Sequence, residues 1–356
     1  MLRIGLVGCG KVGGIHAAAL QSIPEAKFVA ACDANADRAA AFAAKYGAAP
    51  FTDLPAMLKH VDAVIIGTPH PLHAEPAILA AQAGVHVLVE KPMAATLADC
   101  DAMLAAAKRS GVTLGVISQR RFFEPVQRMK AAIDAGKIGM PALGVFIMYS
   151  WREPSYYHSD PWRGKWDTEG GGVLVNQSPH QLDILLWLLG PVAEVSGTWA
   201  NVNHPNVEVD DTAVATLRFK NGGLGSIITS VSQKPGIYTK VHVHGSNGAS
   251  VGVETDRGAT FIAGVSGISE PPLTDLWTVP GEEQQLPQFQ AEDRAAFAAV
   301  DATVHYHALQ IRDWVLAIQE NRPPLVTGED GRAVVELFTA IYRSHREKRS
   351  IPIPCV

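Results

Sequence analysis

The chain has 356 residues, 47% hydrophobic and 18% charged, with 30 Lys and Arg against 35 Asp and Glu. That length supports two domains with sizeable cores, and the apolar content excludes a mainly disordered chain. A net charge of -5 with dispersed cations gives no basic surface for nucleic acid, and no apolar run nears the roughly 20 residues of a bilayer span, so neither partner is expected.

The N-terminal apolar run is too short for a signal peptide, and a cytoplasmic protein is expected. Cys9, Cys32, Cys100 and Cys355 show no CxxC and no zinc-like spacing. Cys9 and Cys32 fall at strand ends as small buried hydrophobes, and no metal site is expected.

Residues 2–7 are an apolar run followed by Gly8, Gly10 and Gly13 in GxGxxG spacing, then Ile15, Ala18, Ala19 and Ile23 at helical intervals. Strand, tight turn and helix are the context that gives this motif meaning. Gly8 allows the turn, Gly10 admits a pyrophosphate, and Gly13 permits close helix–strand packing, while Lys11 and Val12 open a helix whose free N–H groups face phosphates. A second strand, 27–32, ends at Asp33, twenty residues beyond Gly13. An acid there can bond the adenosine ribose 2′-OH and repel a 2′-phosphate, or else cap the helix over 35–44. The first reading points to NAD, and nearby Arg38 leaves NADP open.

A third strand, 61–67, leads into Thr68, Pro69, His70, Pro71, Leu72 and His73, then a helix over 75–83. A strand over 85–89 ends in Glu90-Lys91-Pro92, and a helix over 97–109 precedes a strand over 113–117. This alternation predicts a parallel sheet covered on both faces, with ligands beyond the carboxyl ends of its strands. Thr68, Pro69, His70, His73, Glu90, Lys91 and Gln119 are cofactor-side candidates there. No third ligand completes a metal site with the two histidines, which line the cleft or satisfy backbone groups. Lys91, directly after an apolar strand, is a candidate functional cation.

The pattern changes after Met140. A strand over 142–150 carries Tyr149, and an aromatic, polar loop over 151–169 holds Trp151, Tyr156, Tyr157, His158, Trp162, Arg163 and Trp166. Such a loop can be a binding surface or a long connection tied down by its own rings. Gly170, Gly171 and Gly172 introduce a helix with Asn176 and His180 four residues apart on one face, and Asp183 beyond them. The glycine run favours close approach of something at the helix start. Extended segments follow over 193–200, 212–219, 225–232, 240–245 and 249–254, with an Asn221-Gly222 turn and an edge strand over 278–286. Helices over 297–320 and 329–343 close the chain around a break at 321–324.

The expected fold class is α/β followed by α+β. Residues 1–121 form a Rossmann-type dinucleotide-binding domain with a parallel sheet. Residues 122–356 form a substrate-binding and oligomerisation domain on a large open, mainly antiparallel sheet, with the last helix able to pack back on the first domain. The free face of that sheet needs cover, so a homodimer or homotetramer is expected.

The fingerprint, Glu90-Lys91-Pro92, Trp162-Arg163-Gly164, the 170–183 segment, Asp211-Thr212 and Gly328-Glu329-Asp330-Gly331 with Ser344 stand together in one chain. Over essentially its whole length it resembles the Gfo/Idh/MocA oxidoreductases, the family of glucose-fructose oxidoreductase and inositol dehydrogenase. The resemblance implies NAD-dependent oxidation of a secondary hydroxyl of a pyranose, glycoside or inositol to the ketone. Reduction of a ketosugar by the same site, a redox-neutral reaction with tightly held NAD, and a nucleotide-binding protein without turnover are the alternatives. By the same resemblance Lys91 contacts the substrate hydroxyl and the nicotinamide ribose, and His180 is the general base. Most members carry Asp where this chain has Asn176. The Asn176-Gln177 pair is closer to a minority that includes enzymes oxidising C3 of nucleotide-linked sugars. Catalytic residues are thus Lys91, His180 and Asn176. Trp162 and Arg163 join the cofactor set, and Arg120, Tyr149, Trp151, Tyr157 and His307 complete the substrate set.

Overall fold

The computed structural model describes residues 1–255, 260–261 and 270–355. They divide into two compact units, one of Met1–Gln119 with Thr303–Val335, the other of Arg120–Ala302 with Glu336–Val356.

In the first unit, strands β1 (Leu2–Val7), β2 (Ala26–Cys32), β3 (Ala49–Phe51), β4 (Ala63–Ile66), β5 (His86–Val89) and β6 (Leu114–Val116) form one sheet in the order β3-β2-β1-β4-β5-β6. Every pairing is parallel. The connecting helices are α1 (Lys11–Leu20), α2 (Ala36–Tyr46), α3 (Leu54–Leu58), α4 (Ala74–Gln82) and α5 (Leu97–Ser110). β4 is buried at all four positions, as a strand covered on both faces must be. Local chemistry sets the helix ends. Asn35 accepts the Arg38 N–H to start α2, which stops on Gly47 at φ 72°, and Thr96 caps α5. β3 and α3 escaped the sequence pattern because each is under six residues and β3 is half exposed.

The core of this sheet is completed from far along the chain. Ile4, Leu6, Ile65 and Leu88 pack in one cluster with Ile311, Trp314 and Val315. Gln310 takes the Ser118 N–H at 2.9 Å and donates to the Val116 carbonyl at 2.7 Å, which ties the edge strand down. Residues 303–335 therefore belong with the dinucleotide fold, although the sequence pattern grouped them with the second half.

The second unit holds α6 (Glu124–Asp134), β7 (Pro141–Tyr149), β8 (Trp151–Arg152), α7 (Pro154–His158), α8 (Trp166–Glu169), α9 (Pro179–Leu189), β9 (Val192–Ala200), β10 (Thr212–Phe219), β11 (Leu224–Ser230), β12 (Tyr238–Gly245), β13 (Ser250–Glu254), β14 (Thr260–Phe261), β15 (Leu273–Trp277) and α10 (Leu286–Ala298). α11 (Ala302–Glu320) and α12 (Gly328–Glu347) follow, then β16 (Ile351–Pro352). Eight strands run β15-β13-β12-β7-β11-β10-β9-β16, and all neighbours are antiparallel except β7 with β11. α9 covers one face: a Cβ on Gly144 of β7 would meet Leu185 and Leu189.

Three sequence expectations are corrected. The edge strand is β15, not 278–286, where a turn, a short 3-10 segment and the start of α10 lie. Pro287 at the first turn of α10 and the bend before Ala302 make three closing helices in place of two. The 151–169 loop contains β8, α7 and α8. Among the described residues, no helix is long and apolar enough to cross a membrane.

Candidate active site

In the first unit the chain reverses strand order between β1 and β4, and the predicted cofactor residues follow the carboxyl ends of the strands there. Gly8 adopts φ 98°, and a Cβ on it would strike the Thr68 amide. A Cβ on Gly13 would run into the Gly8 carbonyl, whereas at Gly10 it would meet open space. Gly10 precedes α1 without a side-chain cap among the described residues, so the first N–H groups of that helix are available to an anion.

Asp33 does not cap α2, because Asn35 does. Its carboxylate instead accepts the Cys9 N–H at 3.0 Å and the Asn35 N–H at 2.9 Å. It thereby fixes the fingerprint turn, with the Arg38 guanidinium 3.7 Å away and half exposed. Gln119, buried beyond β6, has an Oε1 without a hydrogen-bond partner among the described residues. The space at Gly10, the uncapped helix and this orphaned acceptor fit a bound NAD.

Lys91 follows β5, and its backbone N–H donates to Glu90 Oε2 at 3.0 Å. The other Glu90 oxygen lies 2.9 Å from Nε2 of His16, which is buried on α1. Burial pushes the Glu90 carboxyl up, but the His16 hydrogen bond and the charges of His16 and Lys91 outweigh it and hold it down at about 2. Glu90 is thus an ionised brace behind Lys91. His73 sits 3.0 Å from the Pro92 carbonyl and 2.8 Å from that of Thr68, joining the segments after β4 and β5. Burial lowers its pKa. His73 serves backbone groups, and His70 is buried in the short turn before α4. His307 lies in this unit, edge-on to His16 at 5.5 Å, its Nδ1 2.7 Å from the Thr303 carbonyl. Burial pushes its pKa down to about 4, leaving a neutral ring at pH 7.

In the second unit the glycine run has a partner within its own chain. A Cβ on Gly172 would overlap the Asp210 carbonyl oxygen. The Asp210 carboxylate accepts N–H groups from Gly172 and Leu174 and the Tyr342 hydroxyl at 2.7 Å. Burial raises its pKa against those three bonds. Beyond the glycines the chain makes a π-helical turn, Val173–Gln177, before α9. Asn176 therefore stands in the π-turn and His180 in the first turn of α9, not on one continuous α-helical face. Asp183 is held by Arg121 through paired bonds of 2.6 and 2.7 Å, both side chains buried.

Asn176 Nδ2 donates to Glu169, whose other oxygen accepts the Gly164 N–H. Gln177 Nε2 and Arg163 Nη1 both donate to the Tyr156 hydroxyl, at 3.0 and 2.6 Å. The Arg163 guanidinium also covers the Trp162 ring at 4.3 Å. Asn176 is thus joined by hydrogen bonds to the Trp162-Arg163-Gly164 turn. Arg120 and Gln181 meet at the Thr255 hydroxyl, at 3.3 and 3.2 Å. Tyr157 and Trp151 pack against His204, each with ring centroids 5.1–5.4 Å from it. Tyr149 pairs with Tyr238 on the sheet. His204 itself bridges Asp211 and the Arg152 carbonyl, both at 2.9 Å. Burial pushes its pKa down, and those two acceptors outweigh it, so that the net shift is upward. Much of the aromatic loop is therefore tied down by its own side chains. A cavity of about 450 Å³ remains beside it, lined by Tyr157, His158, Arg163, Lys165, Asn206 and Glu208 among others.

Sequence reasoning missed Glu169, Tyr156, His16 and His204 as members of these networks. Among the described residues, no group of three or more His, Cys, Asp or Glu is placed to hold a metal ion.

Comparison with known proteins gives the same reading. Residues 2–118 match the model of an oxidoreductase family with an NAD-binding Rossmann fold, and residues 126–251 match the GFO/IDH/MocA C-terminal domain. The chain is 29% identical to the myo-inositol 2-dehydrogenase of Thermotoga maritima, over 99% of this chain and 98% of that one. It is 28% identical to the inositol 2-dehydrogenase of Rhizobium meliloti, over 99% of each. The WlbA dehydrogenase of Bordetella pertussis, solved with NADH and UDP-GlcNAcA, superposes with a TM-score of 0.86 at 31% identity, over 100% of this chain and 98% of that one. The chain is an NAD-binding oxidoreductase and belongs to the Gfo/Idh/MocA family.

Proposed function

We propose that the protein oxidises a secondary hydroxyl on a six-membered polyhydroxylated ring, an inositol, pyranose or simple glycoside, to the ketone. The observation that carries this reading is Lys91, presented at the carboxyl end of β5 on a backbone braced by ionised Glu90 and buried His16. NAD, when bound, accepts the hydride. The Lys91 ammonium stabilises the alkoxide that develops as the hydroxyl proton leaves, and the carbonyl oxygen when the reaction runs in reverse. His180 receives that proton as general base. Asn176 orients the reacting or neighbouring hydroxyl. Trp162 and Arg163 join the residues that would contact the cofactor, and Asp33 disfavours a 2′-phosphate.

The test is absorbance at 340 nm with NAD or NADP against inositols, pyranosides and a UDP-linked hexuronic acid. Reduction of NAD by an inositol or free pyranoside supports the reading. Turnover of the UDP-linked substrate alone supports a second reading, a nucleotide-linked sugar acid, which the likeness to WlbA favours. Lys91→Met and His180→Ala should each lower kcat at least about 100-fold, with the NADH Kd from fluorescence titration nearly unchanged in His180→Ala. Near-normal turnover in either variant removes that residue from the mechanism.

We also propose that a second copy of the chain covers the face of the eight-stranded sheet opposite α9, in a homodimer or homotetramer.

A further inference from the structure

Glu169 ends α8 and is 1% exposed. Its Oε2 accepts the Gly164 N–H at 2.5 Å, and its Oε1 accepts Asn176 Nδ2 at the same distance. An ionised carboxylate only accepts hydrogen bonds, whereas a side-chain amide donates from one end and accepts at the other. Where Glu169 is ionised, as at pH 8.5, Nδ2 must face it, so the carbonyl Oδ1 is the end of the Asn176 amide turned away from it. Rotation of the amide by half a turn would set two acceptors against each other in a buried place, which is costly.

We propose that Glu169 is a positioning residue that holds Asn176 with its carbonyl oxygen as the atom offered to substrate, so that the site selects a ring hydroxyl as donor at this position. The proposal rests on the reading that Asn176 contacts substrate. Glu169 does so from the same turn that carries Trp162 and Arg163, through the Gly164 amide. Substrate and cofactor contacts of this unit are then aligned by one buried carboxylate.

Glu169→Gln tests it. Glutamine has one acceptor and one NH2 group in place of two acceptors. With its oxygen on the Gly164 N–H, its NH2 faces Asn176, whose amide must turn to accept it and then offers substrate a donor. At pH 8.5, KM for the hydroxyl substrate should rise about 10-fold, with the NADH Kd within about 2-fold of wild type. The pair Glu169→Gln with Asn176→Asp restores the pattern, because an Asp at 176 accepts from glutamine and still offers substrate an acceptor. Its KM should return to within about 3-fold of wild type, whereas Asn176→Asp alone, with two carboxylates in contact, should be impaired. A double variant as poor as Glu169→Gln overturns the proposal, since a merely structural glutamate would not be rescued by changing Asn176.

A second readout does not depend on turnover. In protein labelled with ¹⁵N-asparagine, the Asn176 NH2 pair is identified by its absence from Asn176→Asp. Glu169→Gln should shift that pair and speed its hydrogen exchange. An unmoved pair overturns the positioning contact, whatever the activity. Wild-type protein that oxidises no substrate while the pair does move leaves the contact standing and fails the functional reading alone.

Discussion

Burial pushes the Glu169 carboxyl up to about 7, against the pull of the Gly164 and Asn176 hydrogen bonds and of Arg163, with Asp210 adding to the rise. A carboxyl raised in the folded state favours folding below its ordinary pKa near 4.5, and this contribution is lost as pH climbs through about 7. The Tm advantage of wild type over Glu169→Gln should therefore shrink steadily from pH 4.5 to pH 8. A pH-independent difference in paired melting curves would mean that the Glu169 pKa is the same in the folded and unfolded chain. The sequence could show the Gly8, Gly10 and Gly13 turn, because its strand, turn and helix follow one another directly in the chain. It could not show Glu169, whose role depends on Gly164 and Asn176 meeting it from either side. His307 is grouped with the substrate residues by the sequence, whereas the structure buries it beside His16, on the same helix whose Ile311, Trp314 and Val315 enter the core of the first unit.

Among the elements, the segment from Gly170 to α9 shows how one pattern can have two causes. The three glycines signal close approach, and the approaching group is the Asp210 backbone at the entry to β10 rather than a ligand. The π-turn after them widens the helix at Asn176, a device common at functional sites and invisible to a 3.6-residue period. α9 is anchored by the buried Arg121–Asp183 pair, with the guanidinium also over the Trp187 ring at 5.0 Å. Arg121→Ala removes both charge-assisted bonds from the buried Asp183 carboxylate, and should destabilise the protein by about 3–5 kcal/mol in urea unfolding. A loss under about 1 kcal/mol would mean that water reaches the pair. Strands with clean alternation, such as β10, were legible to the residue. β15 was misplaced because its five residues, two of them Asp and Thr, carry no alternation that separates them from the turn beyond.

At the scale of the whole molecule, one face of the second unit's sheet exposes apolar side chains among the described residues. In register across it, Leu224 of β11 lies between Arg218 of β10 and Leu143 of β7, and Ile228 lies between Val214 and Ile147. Leu143, Val214 and Leu224 are each at least 40% exposed. A self-complementary patch of this kind is the usual basis of two-fold association. Light scattering should give twice or four times the chain mass, and Leu143→Asp with Leu224→Asp should halve it. A monomeric wild type would remove the proposed second copy.

The first unit is assembled from both ends of the chain, since Ile311, Trp314 and Val315 fill the core under β1, β4 and β5. During synthesis, the six parallel strands emerge first and wait, with that apolar surface unfilled, until some two hundred further residues have been made. Order of emergence and order of completion therefore differ. The dinucleotide fold is begun first but completed only after Arg120–Ala302 of the second unit has been made, and the nascent chain carries an open core throughout that stretch.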